Sequence, residues 1–243
     1  MREPARRRHD FNELVSAIEG AELMFASLSA MKPIAANLVV ASVLLGTGVA
    51  YAASTSKTIT VSEGTDMQVT VSPDRKTILA DIQGLIYAIP FAGGPGKQLT
   101  QPLQEASHPD WSSKGALVAL QSYAGGTFHI WTMKPDGTGL KQITTGHGDD
   151  REPRISPDGS TIVFSSDRAF KGSYDIWTVK TDGSDLKQIT NSAADEYEPN
   201  WSPNGKRLAF ISGSGIQGAS LELVDLSSGQ QSTILSVDPT KGR

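Results

Sequence analysis

The chain has no cysteine among its 243 residues, which excludes disulfides, thiolate metal sites and a cysteine nucleophile. Histidine is scarce: His9, His108, His129 and His147 are the four, with no His-x-His or His-Glu-x-x-His pair. The metal site of an amidohydrolase is therefore absent from these residues. No Gly-x-Ser-x-Gly elbow occurs, which removes the sequence signal of an esterase or serine peptidase. A dominant charge is missing too. Lys and Arg number 22 against 26 Asp and Glu, for a net charge of −4 with no basic stripe, so nucleic acid is not an expected partner. After residue 53 no helical periodicity of any length appears. What remains is a chain with 38% apolar residues, enough for a real core.

The first 52 residues differ in character from the rest. Met31-Lys32 precedes an apolar run, residues 34–49, broken only by Asn37, Ser42 and Thr47. Ala50-Tyr51-Ala52 then satisfies the small-x-small rule for signal peptidase, so residues 31–52 read as a secretory signal cleaved after Ala52. A retained membrane anchor is the competing reading, and the apolar core is short for a span. Residues 1–30, with Arg6-Arg7-Arg8 followed by Glu13, Glu19 and Glu22, resemble no standard leader and read as an upstream extension from a wrongly chosen start codon. The expected location is the periplasm or the exterior, with no stable membrane span after cleavage.

One phrase recurs four times: Val71-Ser72-Pro73-Asp74-Arg75, Trp111-Ser112-Ser113-Lys114-Gly115, Ile155-Ser156-Pro157-Asp158-Gly159 and Trp201-Ser202-Pro203-Asn204-Gly205. Its serines are 40, 44 and 46 residues apart, a period that marks stacked or radially repeated units. Pro157 presets φ, Asp158 bonds its own backbone, and Gly159 takes the left-handed position; Pro203 and Gly205 do the same in the last copy. Pro153 biases Glu152 toward β geometry, so Glu152-Pro153-Arg154-Ile155 is expected to be plainly extended. Thr161-Ile162-Val163-Phe164-Ser165, Asp175-Ile176-Trp177-Thr178-Val179 and Leu186-Lys187-Gln188-Ile189-Thr190 complete four strands. The pattern repeats over residues 60–101, 105–145, 149–191 and 195–236, with a weak outer strand, Ser232-Thr233-Ile234-Leu235, in the last. The predicted fold is all-β: a β-propeller of four-stranded antiparallel blades, with about four blades present and the ring incomplete.

Copies two to four resemble the WD40-like repeat of the TolB β-propeller superfamily, whose signature is a Trp-Ser-Pro-Asp-Gly turn before an apolar strand ending in Ser. Arg151-Glu152-Pro153 through Ser165-Ser166-Asp167-Arg168 and Glu198-Pro199-Asn200-Trp201-Ser202-Pro203 carry the match. The opening, Glu63-Gly64-Thr65 through Ser72-Pro73-Asp74 and on to Gly93-Gly94, is similar to the propeller preceding the catalytic domain of secreted amidohydrolases, and to tricorn-protease propellers. Arg75 in place of Gly, Ser113-Lys114 in place of Pro-Asp, and the frayed last copy depart from the pattern.

The resemblance implies an exported, non-catalytic propeller that binds a protein or ligand in the periplasm or cell envelope. The alternative is the N-terminal propeller of a larger secreted amidohydrolase or propeller peptidase, with residues 237–243 a truncated tail and the catalytic domain elsewhere. The expected partner is accordingly another protein or a missing C-terminal domain, and two arcs closing one ring as a dimer is a further option. No catalytic residue is identified. Asp149, Asp150, Glu152, Asp195, Glu196 and Glu198 are expected to precede the innermost strands of blades three and four, where propeller loops surround the channel mouth. Such carboxylates could hold Ca²⁺, the one cofactor considered; the competing reading pairs them with Arg151, Arg154 and Arg168. Trp111, Trp131, Trp177 and Trp201 fall at equivalent repeat positions, which argues for packing between blades rather than a ligand box.

Overall fold

The repeated serine sets the local structure from which each unit grows. Ser72, Ser112, Ser156 and Ser202 each accept, on Oγ, the backbone N–H five residues on, from Thr77, Leu117, Thr161 and Arg207 at 2.9–3.0 Å. Three of these hydroxyls also donate to Asp74, Asp158 or Asn204 at 2.6–2.9 Å, tying the turn shut. The fourth turn residue is left-handed throughout: Gly115, Gly159 and Gly205 take φ of 69°, 80° and 68°, and Arg75 is forced to 59°.

A computed structural model describes residues 67–169, 172–214 and 218–237. The signal segment and the residues on either side of it, along with the tail, lie outside these. Four antiparallel sheets follow in chain order, each with its strands in sequence order. Blade 1 comprises β1 (Val69–Val71), β2 (Thr77–Ile82), β3 (Leu85–Pro90) and β4 (Lys97–Gln98), and a short 3₁₀ turn, Pro102–Gln104, leads out of it. Blade 2 comprises β5 (Ala106–Trp111), β6 (Val118–Ser122), β7 (His129–Met133) and β8 (Lys141–Gln142). Blade 3 comprises β9 (Asp150–Ile155), β10 (Thr161–Ser166), β11 (Asp175–Lys180) and β12 (Lys187–Gln188). Blade 4 comprises β13 (Glu196–Trp201), β14 (Arg207–Ser214), β15 (Gly218–Asp225) and β16 (Gln231–Val237). The outer strand β16 is thus the longest of its kind, not a frayed end. It pairs with β15 from Ala219↔Val237 to Val224↔Gln231, and its Ser and Thr side chains face solvent, which is why its apolar pattern is weak.

The core lies between blades rather than within them. Leu79 and Ile86 of blade 1 meet Val118, Leu120 and Met133 of blade 2, with Trp111 and Trp131 packed against them. Ala119 and Ile130 meet Ile155, Ile162, Phe164 and Val179, with Trp177 alongside. Val163 and Ile176 meet Trp201, Leu208, Phe210 and Val224. The ends of the arc lack such cover. Ile78 and Ile89 of blade 1, and Ala209 and Leu221 of blade 4, are half-buried where their equivalents in neighbouring blades are sealed.

The outer edge of each of blades 1 to 3 is tied inward by a buried threonine. Thr100, Thr144 and Thr190 accept the N–H groups of Ile86, Ile130 and Ile176 at 2.8–2.9 Å. Thr144→Val keeps the shape but orphans the buried Ile130 N–H, and is expected to cost about 1–3 kcal/mol in chemical denaturation.

The innermost strands correct one expectation. Glu152 is not extended: His108, Glu152 and Glu198, each followed by proline, adopt φ of 54°, 57° and 52°. The register of β5, β9 and β13 slips at this point, so each strand is bulged. The bulge turns an N–H toward the preceding blade, where a side chain waits for it. Asp81 accepts from His108 at 2.8 Å, Gln121 from Glu152 at 2.7 Å, and Glu152 from Glu198 at 2.7 Å. A hydrogen bond gained across the seam is the physical reason the local preference yields.

Candidate functional site: the channel mouth and wall

Each inner strand starts at the end of the blade that carries the β6–β7 and β10–β11 loops, and runs toward the serine turns. That places Asp149, Asp150, Asp195 and Glu196 at the end of the inner strands where the mouth of a propeller is expected, with Glu152 and Glu198 further along the same strands. The six carboxylates do not form one cluster. Among the described residues no three of His, Asp and Glu lie where they could hold a metal ion. All three arginines, by contrast, are engaged with acids of this set.

Asp150 is fully buried and forms a knot across the seam between blades 2 and 3. Ser166 Oγ donates to its Oδ1 at 2.6 Å, Arg168 Nε reaches the same oxygen at 3.2 Å, and Arg168 Nη2 pairs with Oδ2. His129 Nδ1 of blade 2 lies 3.3 Å from Oδ2. The Arg168 guanidinium also lies over the Phe164 and Trp177 rings, at 5.6 and 5.4 Å. Gly148 admits it: a Cβ there would lie 2.6 Å from Arg168 Cβ. This knot is structural, because every group in it is satisfied.

Asp149, one residue earlier, organises a surface. It accepts from Phe128 N at 3.0 Å and Tyr174 Oη at 2.7 Å, and pairs with Arg151 at 2.7 Å. Its own N–H is held by Asp167 at 2.7 Å. Burial works against ionising Asp149, but the hydrogen bonds from Tyr174 and Arg151 outweigh it and hold the carboxyl below its usual range. Arg151 lies 4.4 Å above the Phe128 ring, and Tyr123, 42% exposed, meets Phe128 edge-on at 5.1 Å. The outcome is a preorganised patch of Tyr123, Phe128, Arg151 and Tyr174 at the mouth. Tyr, Phe and Arg are the residue types enriched in protein interfaces, and fixing them in advance reduces the entropy lost on binding. No sequence pattern picked out the three aromatics, since they sit in loops rather than in the repeat phrase. Asp195 stands apart, accepting from Tyr174 N at 3.1 Å.

Inside the mouth, the wall is acidic with one cation. Arg154 Nη2 lies 3.7 Å from Glu198. Burial pushes the Glu198 carboxyl up, and the neighbouring Glu152 adds to this while Arg154 opposes it. Asp110 accepts Ile155 N at 2.7 Å, and burial raises it to about 6 against the pull of Arg154. Ser165, too short to cross the seam as Gln121 does, instead donates to Glu152 at 2.9 Å and leaves that carboxylate to make the stitch to Glu198.

The opposite face is made of turns. Outer-strand lysines reach the next blade there, Lys97 Nζ to Asp136 O at 3.1 Å and Lys141 Nζ to Asp182 O at 2.9 Å. Ser113, where proline is usual, donates to Pro157 O at 2.6 Å. A cleft of about 590 Å³ lined by Asp158, Lys180, Lys187 and Trp201 opens between blades 3 and 4 on this side. Its lining is the repeat's own turn and strand residues, with no paired acid and base.

Comparison with known proteins agrees with this architecture. An uncharacterized protein of Agrobacterium fabrum is 35% identical over 99 residues, covering 39% of this chain and 34% of the relative. TolB from Acinetobacter baumannii superposes with a TM-score of 0.62 at 21% identity, over 71% of this chain and 44% of that one. A puromycin hydrolase superposes with a TM-score of 0.56 at 16% identity, over 69% of this chain and 30% of that one. The chain spans about a third of the length of the Agrobacterium relative and less than half of either solved structure. Residues 56–240 match the TolB beta propeller domain over most of the chain, and the protein belongs to that family.

Proposed function

We propose that the chain is an exported, non-catalytic propeller that presents its mouth patch to a protein partner in the periplasm or cell envelope. The observation that carries this reading is the preassembled patch, with Arg151 stacked 4.4 Å over Phe128 and flanked by Tyr123. The apolar run before Ala50-Tyr51-Ala52 supports export, and the absence of an elbow or histidine-pair motif from the sequence supports a binding role. Among the described residues no helix is long and apolar enough to cross a membrane. Fractionation of cells making the full chain tests the proposal. Recovery in the periplasm or envelope with Ala53 as the first residue, and no turnover of amide or ester probes, supports it. An uncleaved cytoplasmic product, or turnover by the purified chain, would overturn it.

A second reading has its own observation. The half-buried apolar positions at both ends of the arc, Ile78 and Ile89 on one side and Ala209 and Leu221 on the other, suit packing against further blades. On this reading the four blades serve a larger hydrolase and dock or gate its substrate. An immunoblot of source cells with antibody to these blades separates the two: a band of the size of residues 53–243 favours the first, one much larger than the 243-residue chain the second.

A further inference from the structure

The internal repeat supplies its own control for one buried acid. Ala106, Asp150 and Glu196 are equivalent, each opening an inner strand opposite Ser122, Ser166 or Ser212 of the next. At the seam between blades 2 and 3, Asp150 meets His129 at the start of β7 and Arg168 after β10. At the next seam the residue equivalent to His129 is Asp175, at the start of β11. Glu196 is 2% exposed, and its Oε2 has no hydrogen-bond partner. The same position is therefore acidic in both blades, but the imidazole that faces it at one seam is replaced by a carboxylate at the other.

The charged groups around Glu196 are accounted for strand by strand. Asp175 of β11 and Glu222 of β15 are its acidic neighbours, and the Thr190 hydroxyl beyond β12 hydrogen-bonds to it. Its partner strand β14 sets uncharged Ser212 opposite, and β10, Thr161–Ser166, contains no charged residue. On β9, Asp150 is held by Arg168, Arg151 by Asp149, Arg154 by Glu198, and Glu152 by Ser165. Asp175 itself accepts from Ser192 N and Gln188 Nε2, both at 2.8 Å. Glu196, Asp175 and Glu222 are not grouped as metal ligands: among the described residues no three His, Cys, Asp or Glu side chains lie where they could hold a metal ion. A proton needs only one oxygen and no extra room.

We infer that Glu196 is held protonated in the seam between blades 3 and 4, where it lacks the guanidinium that neutralises its equivalent, Asp150, in the blade before. Burial, reinforced by Asp175 and Glu222, raises this carboxyl to about 7, in agreement with the geometry. The sign follows. A carboxyl with a raised pKa in the folded state binds more protons folded than unfolded, so stability is greatest at acid pH and falls until the group has ionised. The arc is thus firmest in acid, below the ordinary glutamate range, and loosens at its last blade as the pH climbs from there to about 7.

Thermal melts of the full chain at pH 5.5 and pH 8, with Glu196→Gln and Glu196→Ala beside the wild type, test this. Alanine is the residue blade 2 carries at this position, so it guards against a failure of the glutamine variant to fold. The wild type is expected to lose about 5 °C more than either variant between the two pH values. A carboxylic-acid infrared band in the wild-type-minus-variant difference spectrum at pH 6, fading by pH 8, is the matching signature, since Asp110 contributes equally to all three proteins. Parallel pH dependence in all three proteins would overturn the inference. So would a calcium-dependent rise in wild-type melting at pH 8 that the variants lack, since it would make a metal ion the occupant.

Discussion

Replacing Arg168 with methionine is expected to lower the unfolding free energy by about 3–5 kcal/mol, the range for removing one partner of a buried ion pair. Asp150 is fully buried, so deletion of the guanidinium leaves a carboxylate with only Ser166 and the imidazole of His129 for company. The stems match in length, so lost packing over Phe164 and Trp177 contributes less than the stranded charge. With a total stability of about 5–15 kcal/mol for a domain of this kind, the variant sits near the edge of folding. Two controls isolate the cause. Arg151→Met breaks a pair whose arginine is 40% exposed, and is expected to cost no more than about 1 kcal/mol. Asp150→Asn combined with Arg168→Met removes the stranded charge and should recover much of the loss. Urea midpoints of the four proteins measure all of this. Equal effects of the two arginine variants would mean that the seam does not depend on this knot.

The second large effect is on binding. Phe128→Ala with Arg151→Ala is expected to weaken a partner of the mouth by at least about 30-fold, the equivalent of about 2 kcal/mol, as for central interface residues. The same pair should leave the fold intact. Phe128 is half-buried, and the backbone bond from Asp150 N to its carbonyl at 2.8 Å does not depend on the ring. Tyr174 and Asp149 remain bonded to each other, so the loop keeps its anchor. Binding measured by titration calorimetry, with circular dichroism as the folding check, reads both halves. Loss of binding with loss of fold would assign the residues to structure instead.

The fold was legible because the repeat announces its own mechanics. Ser72, Ser112, Ser156 and Ser202 could be recognised as turn formers, and the β-branched strands after them fall where expected, as with Thr161–Ser166 and His129–Met133. The three arginines were visible as candidate partners of the mouth acids, although Asp150 turned out sealed rather than solvated. Other features could not be read. A proline after His108, Glu152 and Glu198 favours extended backbone locally, and only the hydrogen bond offered by the next blade reverses that preference. The patch depends on Phe128, Arg151 and Tyr174 meeting across two blades, a proximity of residues up to 46 positions apart that no local pattern encodes. Glu196 looked like its equivalent Asp150. The difference lies in neighbours, Asp175 for His129, that only alignment of one blade on the next reveals.

Photo-crosslinking in living cells decides whether the mouth patch meets a protein. A benzophenone side chain at Tyr123, 42% exposed beside Phe128, is compared with one at exposed Lys114 on the opposite face. A partner-binding mouth predicts one discrete, light-dependent protein adduct from position 123, absent from position 114 and lost when Phe128 and Arg151 are alanine. Equal adducts from both faces, or none from position 123 in correctly exported protein, would contradict it.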